Sequence, residues 1–157
     1  MVIQRWQSVM LLIAGIMMGI FSFISLGQIQ TESYTFNITA LGILREGTAT
    51  AADEPTGIRT IYLLIDSLLA CVLSLTGIFC FKNSRLQKNL IIFTILCTVT
   101  AGALAAFGAT SFASEYGQQV GWSIFIGAPL VALAADILAY RMICSDQKRL
   151  RDADRLR

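Results

Sequence analysis

Histidine is absent from the 157 residues of the chain, and charged residues make up only 14% of them. Because histidine is the commonest general base, proton shuttle and metal ligand in proteins, its absence argues against most acid–base and metal chemistry. The sequence also contains no Walker or Rossmann glycine pattern, no G-x-S-x-G and no H-E-x-x-H motif. It therefore predicts no catalytic residue, no metal site and no cofactor, and a protein that is not an enzyme.

Cysteine is present, but not in a pattern that predicts chemistry. The four cysteines form no C-x-x-C pair and lie inside or at the ends of apolar segments; they are Cys71, Cys80, Cys97 and Cys144. Membrane thiol oxidoreductases need reactive thiol pairs near a membrane surface, whereas buried single cysteines behave as small hydrophobic residues. A disulfide framework is not expected.

Hydrophobic residues, by contrast, make up 55% of the chain. A helix needs about 20 mainly apolar residues to cross about 30 Å of hydrocarbon. Four segments have this length, at about residues 8–27, 60–81, 90–113 and 120–144. They predict an all-α membrane protein in which residues 1–157 form one domain, a bundle of four transmembrane helices. The first apolar segment is longer than the core of a signal peptide and is predicted to be an uncleaved anchor.

Basic residues are concentrated on one side of this predicted topology. The termini and the loop between the second and third spans hold ten of the 12 lysines and arginines, and the opposite side holds only Arg45 and Arg59. Because basic loops remain in the cytoplasm, both termini are predicted to be cytoplasmic. The net charge of +2 does not favour nucleic acid as a partner. Anionic lipid headgroups are favoured instead, since each basic residue beside a span gains about 1 kcal/mol near them.

The segments outside the spans differ in character. The outer loop, residues 28–59, is predicted to be mainly irregular, but residues 34–39 (YTFNIT) alternate and are rich in β-formers, which favours a short hairpin. The tail, residues 145–157, is charged and predicted to be helical, with Lys148 and Asp152 one turn apart. Two roles stay open for the tail: contact with anionic headgroups, or docking of a cytoplasmic protein.

Two acidic residues, Asp66 and Asp136, lie within predicted spans. An ionisable group in hydrocarbon costs at least about 2.5–3.5 kcal/mol and marks a candidate functional site. Together the two carboxyl groups form a candidate proton or cation relay. The alternative is structural, with hydrogen bonds or ion pairs to neighbours. The candidate neighbours are Ser67, Thr110, Ser111 and Arg59 for Asp66, and Tyr140 and Arg141 for Asp136.

Small residues and one proline predict how the helices pack. Gly15 and Gly19 form a G-x-x-x-G in the first span, and Gly102 and Ala106 belong to a run of small residues in the third. Such residues let helix backbones approach closely, either within one bundle or in a homo-oligomer or partner interface. Pro129, inside the fourth predicted span, removes a backbone hydrogen bond and predicts a kink.

Polar stretches outside the spans form a recognisable set. They are the start Ile3-Gln4-Arg5-x-Gln7, the outer stretch YTFNITALGI (residues 34–43), the inner loop FKNSRxQ (81–87) and the ending Asp154-Arg155-Leu156-Arg157. The set resembles domain-of-unknown-function family 4293. The resemblance implies a small, four-span inner-membrane protein of the Bacteroidota with no assigned activity. It also implies a candidate cytoplasmic interaction face, made of Gln4, Arg5, Arg85, Gln87, Asp154, Arg155 and Arg157.

Three functions follow from these features. The favoured one is a scaffold or accessory subunit that binds a protein partner at its cytoplasmic face, because the family-like polar residues gather there. The alternative is a small oligomeric transporter or channel that uses Asp66 and Asp136. A lipid-modifying or redox membrane enzyme is the least favoured, because histidine, thiol pairs and known motifs are missing.

Overall fold

Four long helices dominate the computed structural model, which describes residues 2–30, 35–46, 57–80, 83–115 and 117–155. The helices are α1 (Val2–Phe23), α2 (Gly57–Phe79), α3 (Ser84–Glu115) and α4 (Ala128–Arg155). Each contains an apolar segment of at least 18 residues, long and apolar enough to cross a membrane. The prediction of a mainly helical chain with four helices of spanning length is confirmed.

The helices form a ring in which α1 packs against α2 and α4, α2 against α3, and α3 against α4. Two hydrogen bonds align α1 with α2: Ser22 Oγ donates to Ser67 Oγ over 2.9 Å, and Ser74 Oγ donates to the Leu11 carbonyl over 2.6 Å. Because the numbering runs in opposite directions along this contact, α1 and α2 are antiparallel. We call the end where α1 begins and α4 finishes the terminal end, and the opposite end the sheet end.

Glycines lie where helix backbones approach each other. A Cβ on Gly15 would lie 3.3 Å from Leu75 Cδ2, and one on Gly19 would lie 3.7 Å from Cys71 Sγ. Both glycines therefore face α2. Between α3 and α4, a Cβ on Gly102 would lie 3.5 Å from Pro129 Cβ. The close approach supports dispersion contacts between backbones, which stabilise helix pairs in lipid.

The run of small residues in α3 divides between two faces. Ala101, Ala105 and Ala109 are buried against the rest of the protein. Ala106, which the sequence suggested as a packing residue, is exposed on the outer surface of the bundle. Successive helix residues are about 100° apart, so turning Ala105 inward turns Ala106 outward. The packing role within the bundle therefore belongs to Ala105 and not to Ala106.

An antiparallel sheet caps the sheet end of the bundle. Its strands are β1 (Gly27–Gln30), β2 (Thr35–Thr39), β3 (Gly42–Glu46) and β4 (Gly121–Trp122), in the spatial order β3-β2-β1-β4. Ile29 and Ile38 are buried with Ala109 and Ala113 of α3. The rings of Phe36 and Phe112 pack edge to face, with centroids 5.7 Å apart. These contacts fix the sheet to the half of α3 that lies at the sheet end.

The hairpin predicted near residues 34–39 is present as β2 and β3, joined by the two-residue turn Ala40-Leu41. Thr39 closes this turn: its Oγ1 donates to the Gly42 carbonyl over 2.7 Å and accepts the Gly42 N–H over 3.1 Å. The sheet is larger than the prediction, because β1 precedes the hairpin and β4 comes from the segment after α3. Residues 47–56 of the predicted outer loop lie outside the described part of the structure.

The fourth helix begins eight residues later than predicted, at Ala128 instead of near residue 120. The intervening residues form β4 and a short 3-10 helix, Ile124–Gly127, whose first turn is capped by Ser123. Pro129 is consequently the second residue of α4. Proline is tolerated in the first turn, because the N–H groups there have no partner within the helix. The predicted kink in mid-helix is therefore wrong.

The helix α3 extends beyond both ends of its predicted span, into the predicted loops. At the terminal end, α3 already begins at Ser84, so Arg85 and Gln87 lie on its first turn and not in a loop. At the sheet end, Gly117 has a φ of 62°, a left-handed conformation that favours glycine. Its neighbour Gln118 donates its N–H to the Ala113 carbonyl over 3.1 Å. This arrangement ends α3 and directs the chain back to β4.

Replacing Gly15 by leucine tests the α1–α2 contact. The added side chain meets Leu75 and the Cys71 carbonyl, so we expect a loss of about 1–3 kcal/mol of stability from overpacking. Reversible unfolding in mixed detergent micelles measures it. Gly108→Leu is the matched control, because a Cβ at Gly108 has nothing within 4 Å. Equal stability of the two variants would show that the contact is not close-packed.

Candidate functional sites

Asp136 is fully buried in the interior of the bundle. Its side chain is 0% exposed, and neither carboxyl oxygen accepts a hydrogen bond from any described group. The structure does not pair it with Tyr140 or Arg141, the two neighbours considered from the sequence. Buried polar groups normally have partners. An unpaired carboxyl in an apolar interior is costly, so this position is a candidate site on geometric grounds.

Hydroxyl groups lie at the same depth as Asp136. Pro129 of α4 is beside Gly102 of α3, so the antiparallel register sets Asp136 level with the turn of α3 between Thr94 and Thr98. Both threonines are 1% exposed. The Thr94 hydroxyl donates to the Leu90 carbonyl over 3.0 Å, and the Thr98 hydroxyl donates to the Thr94 carbonyl over 2.8 Å. Each hydroxyl hydrogen is therefore bonded to a backbone carbonyl, and the lone pairs of the two hydroxyl oxygens remain as acceptors at this depth.

Asp66 lies in a different environment, on the outward side of α2. Its side chain is partly exposed, and its Oδ2 accepts a hydrogen bond from Thr100 Oγ1 of α3 over 2.6 Å. Of the candidate neighbours named from the sequence, Ser67 is turned inward, where it bonds to Ser22 and to the Leu64 carbonyl. The Thr110 hydroxyl donates to the carbonyls of Ala106 and Phe107. Asp66 therefore links α2 to α3 at the surface of the bundle and not in its core.

The two carboxyl groups are not brought together. Asp66 is at the depth of Thr100, to which it is hydrogen-bonded. Asp136 is at the depth of the α3 turn about five residues from Thr100 toward the terminal end. This separation corresponds to about 8 Å of depth at 1.5 Å per residue. One group faces outward and the other inward, so the geometry gives no direct relay between them.

Hydrogen bonds also tie the helices together at the terminal end. Gln7 Nε2 of α1 donates to the Asp146 carboxyl of α4. Gln87 of α3 is 3% exposed, and its Nε2 donates to the Gly77 carbonyl of α2 over 3.2 Å. The buried Gln87 side chain therefore holds α3 against α2. The Gln7–Asp146 pair was not predicted, because only a register between α1 and α4 reveals it.

The other members of the candidate cytoplasmic face are only partly described. Arg85 is exposed on the first turn of α3. The backbones of Gln4 and Arg5 lie in α1, and those of Asp154 and Arg155 lie at the end of α4. The side chains of these four residues, and all of Arg157, lie outside the described part of the structure.

No group of three or more cysteine, aspartate or glutamate side chains with the spacing of a metal site occurs among the described residues. The described chemistry-bearing groups are therefore Asp136 with its threonines, the Asp66–Thr100 pair and the terminal-end hydrogen bonds.

The chain belongs to the family described as Domain of unknown function (DUF4293), whose model matches residues 3–156. The match covers all four helices and the sheet. No curated protein matches the chain.

Dicyclohexylcarbodiimide tests the different placement of the two acids. This apolar reagent partitions into the bilayer and reacts with carboxyl groups that it can reach. Because Asp66 is partly exposed and Asp136 is 0% exposed, we expect the adduct at Asp66 alone, mapped by mass spectrometry of the reconstituted protein. Asp66→Asn is the control and loses the adduct. An adduct at Asp136 would show that the interior is open.

Proposed function

We propose that this member of the family is a multi-pass protein of the bacterial inner membrane. Support comes from the four helices of spanning length and from two exposed tryptophans. Trp6 is 55% exposed near the terminal end, and Trp122 is 45% exposed at the sheet end. Residues 6–23 of α1 extend over about 26 Å, close to the thickness of about 30 Å of the hydrocarbon layer. Tryptophan is enriched at the two membrane interfaces, so in this proposal the two rings mark the boundaries of the membrane.

The terminal end faces the cytoplasm in this proposal. Ten of the 12 lysines and arginines of the sequence belong to that side, and basic segments near spans are retained in the cytoplasm. Among the described side chains, Arg85 of α3 and Arg141 and Lys148 of α4 are exposed there. We call these three residues the basic face.

The function that the basic face supports is that of a non-enzymatic scaffold or accessory subunit, which binds an acidic surface of a partner protein. The face is made by two adjacent helices, α3 and α4. Its position is fixed by the hydrogen bonds of Gln87 to Gly77 and of Gln7 to Asp146. Three cations carried on helices of fixed position give electrostatic complementarity to an acidic partner.

Replacing Arg85, Arg141 and Lys148 together by glutamine tests this function. The tagged protein is purified from native membranes in mild detergent, and the ratio of partner to bait is measured. We expect a partner in stoichiometric amount with the native chain, and about a tenfold loss with the triple variant, as three exposed ion pairs contribute about 0.5 kcal/mol each.

The control for this pull-down is the variant with Gln118→Ala and Gln119→Ala, two exposed polar residues at the sheet end. It is expected to recover the partner as the native chain does. Two results contradict the proposal: recovery of the native protein alone, or equal recovery of the partner with the triple variant.

A second function, that of a small oligomeric transporter or channel, is favoured by one observation. Asp136 is fully buried and unpaired among the described groups, level with Thr94 and Thr98, whose oxygens are acceptors. A buried carboxyl without a hydrogen-bond partner is a suitable transient site for a proton or a monovalent cation. The outward placement of Asp66 means that such a path would use Asp136 without it.

Ion flux into proteoliposomes under an imposed potential tests the second function. We expect proton or sodium flux with the native chain and its loss with Asp136→Asn, which keeps the size of the side chain. Asp66→Asn is the matched control and is expected to retain the flux. Flux that is absent from the native protein, or unchanged in Asp136→Asn, would exclude this function.

A further inference from the structure

The outward side of α2 and α3 carries a polar pair in the middle of an apolar surface. We propose that this surface docks a transmembrane helix of a different membrane protein, one that presents a lysine or arginine at the depth of Asp66. We call it the α2–α3 face; its residues are Tyr62, Asp66, Leu69, Leu96, Thr100, Ala103 and Phe107. The proposal rests on membrane insertion, but it is independent of the basic face.

The α2–α3 face is one continuous surface. Tyr62, Asp66 and Leu69 follow one side of α2 at helical spacing, and the residues from α3 follow the adjoining side of that helix. The apolar members are well exposed: Tyr62 is 64% exposed, Leu96 is 58% and Phe107 is 75%. Because Thr100 donates to Asp66, the two helices meet at this pair. Asp66 lies about 8 Å along α2 from the start of the apolar span at Ile61 and about 20 Å from its end at Phe79, so it is within the span and nearer the sheet end.

The carboxyl of Asp66 is poorly satisfied by lipid alone. A carboxylate has about four acceptor positions. Thr100 fills one of them, and the Cys97 thiol of α3, a weak donor, lies against the same carboxyl. Acyl chains donate no hydrogen bonds, so the remaining exposed positions have no partner in a bilayer. An acidic side chain within a span costs at least about 2.5–3.5 kcal/mol. A cationic side chain from a neighbouring helix would supply both the opposite charge and several donors.

A second copy of this chain does not fit the site as well. The sequence has no lysine or arginine at residues 60–81 or 89–140, nor between Arg5 and Arg45. A two-fold contact would bring the Asp66 of each copy to the same interface, where like charges repel. Charge complementarity therefore selects a partner helix of different sequence. Ala103 lies one turn from Thr100 and is exposed, so the incoming backbone can approach closely.

The test uses a synthetic transmembrane peptide as the probe. Two peptides of about 20 leucine and alanine residues are compared, one with a single arginine about a third of the way along and one with leucine there. Energy transfer is measured between a dye on the peptide and a fluorescent protein fused to the C terminus of the full chain, in phosphatidylcholine vesicles. Flotation with the vesicles reports insertion separately, so a failure of insertion is distinguishable from a failure of docking.

We expect the arginine peptide to bind the native chain about five- to tenfold more tightly than the leucine peptide. Asp66→Asn is expected to remove this difference, and Asp136→Asn, which changes only a buried acid, is expected to preserve it. Equal binding of the two peptides, or a preference that survives Asp66→Asn, would overturn the proposal. Self-association of the chain that Asp66→Asn abolishes would also overturn it, because the occupant would then be a second copy.

Discussion

The interior of this bundle depends on hydroxyl groups that donate back to the main chain. Ser74, Thr94 and Thr98 are buried, and each donates to a helix carbonyl. Ser74 does so across the contact between α2 and α1, so it also holds two helices together. Such bonds let polar residues occupy an apolar interior without an unsatisfied donor. Asp136, which gains no described donor, is the exception to this pattern.

Two further sets of polar groups lie on the described surface of the bundle. The basic face lies at the terminal end, whereas the Asp66–Thr100 pair lies on the α2–α3 face. In the proposed membrane placement, the first would face an aqueous compartment and the second would face lipid. Both are held by fixed elements: Gln87 and Gln7 at one level, and the α2–α3 contact at the other. The family DUF4293 has no described activity with which this arrangement could be compared. We therefore propose for the chain the role of a subunit that contacts partners by its surface.

Helix number and the hairpin could be predicted from the sequence because hydrophobic length and strand alternation are local signals. The start of α4 could not, because the residues from Val120 to Gly127 are as apolar as a helix and form β4 and a 3-10 turn instead. The buried face of α3 could not be predicted either. Because the span of α3 is apolar on all sides, its sequence pattern does not distinguish Ala105, which is buried, from Ala106, which is exposed. The Asp66–Thr100 and Gln7–Asp146 pairs each join different helices, and only the register between those helices reveals them.

We propose that the chain acts through its outward polar groups, and the size of its complex in native membranes tests this proposal most directly. Native gel electrophoresis of membranes from cells that express each variant at equal level gives that size. We expect the native chain and Asp136→Asn to migrate in the same complex, larger than the chain alone. The basic-face triple variant and Asp66→Asn are expected to migrate in smaller species. A native chain that migrates alone, or a complex lost in Asp136→Asn but intact in both surface variants, would contradict the proposal.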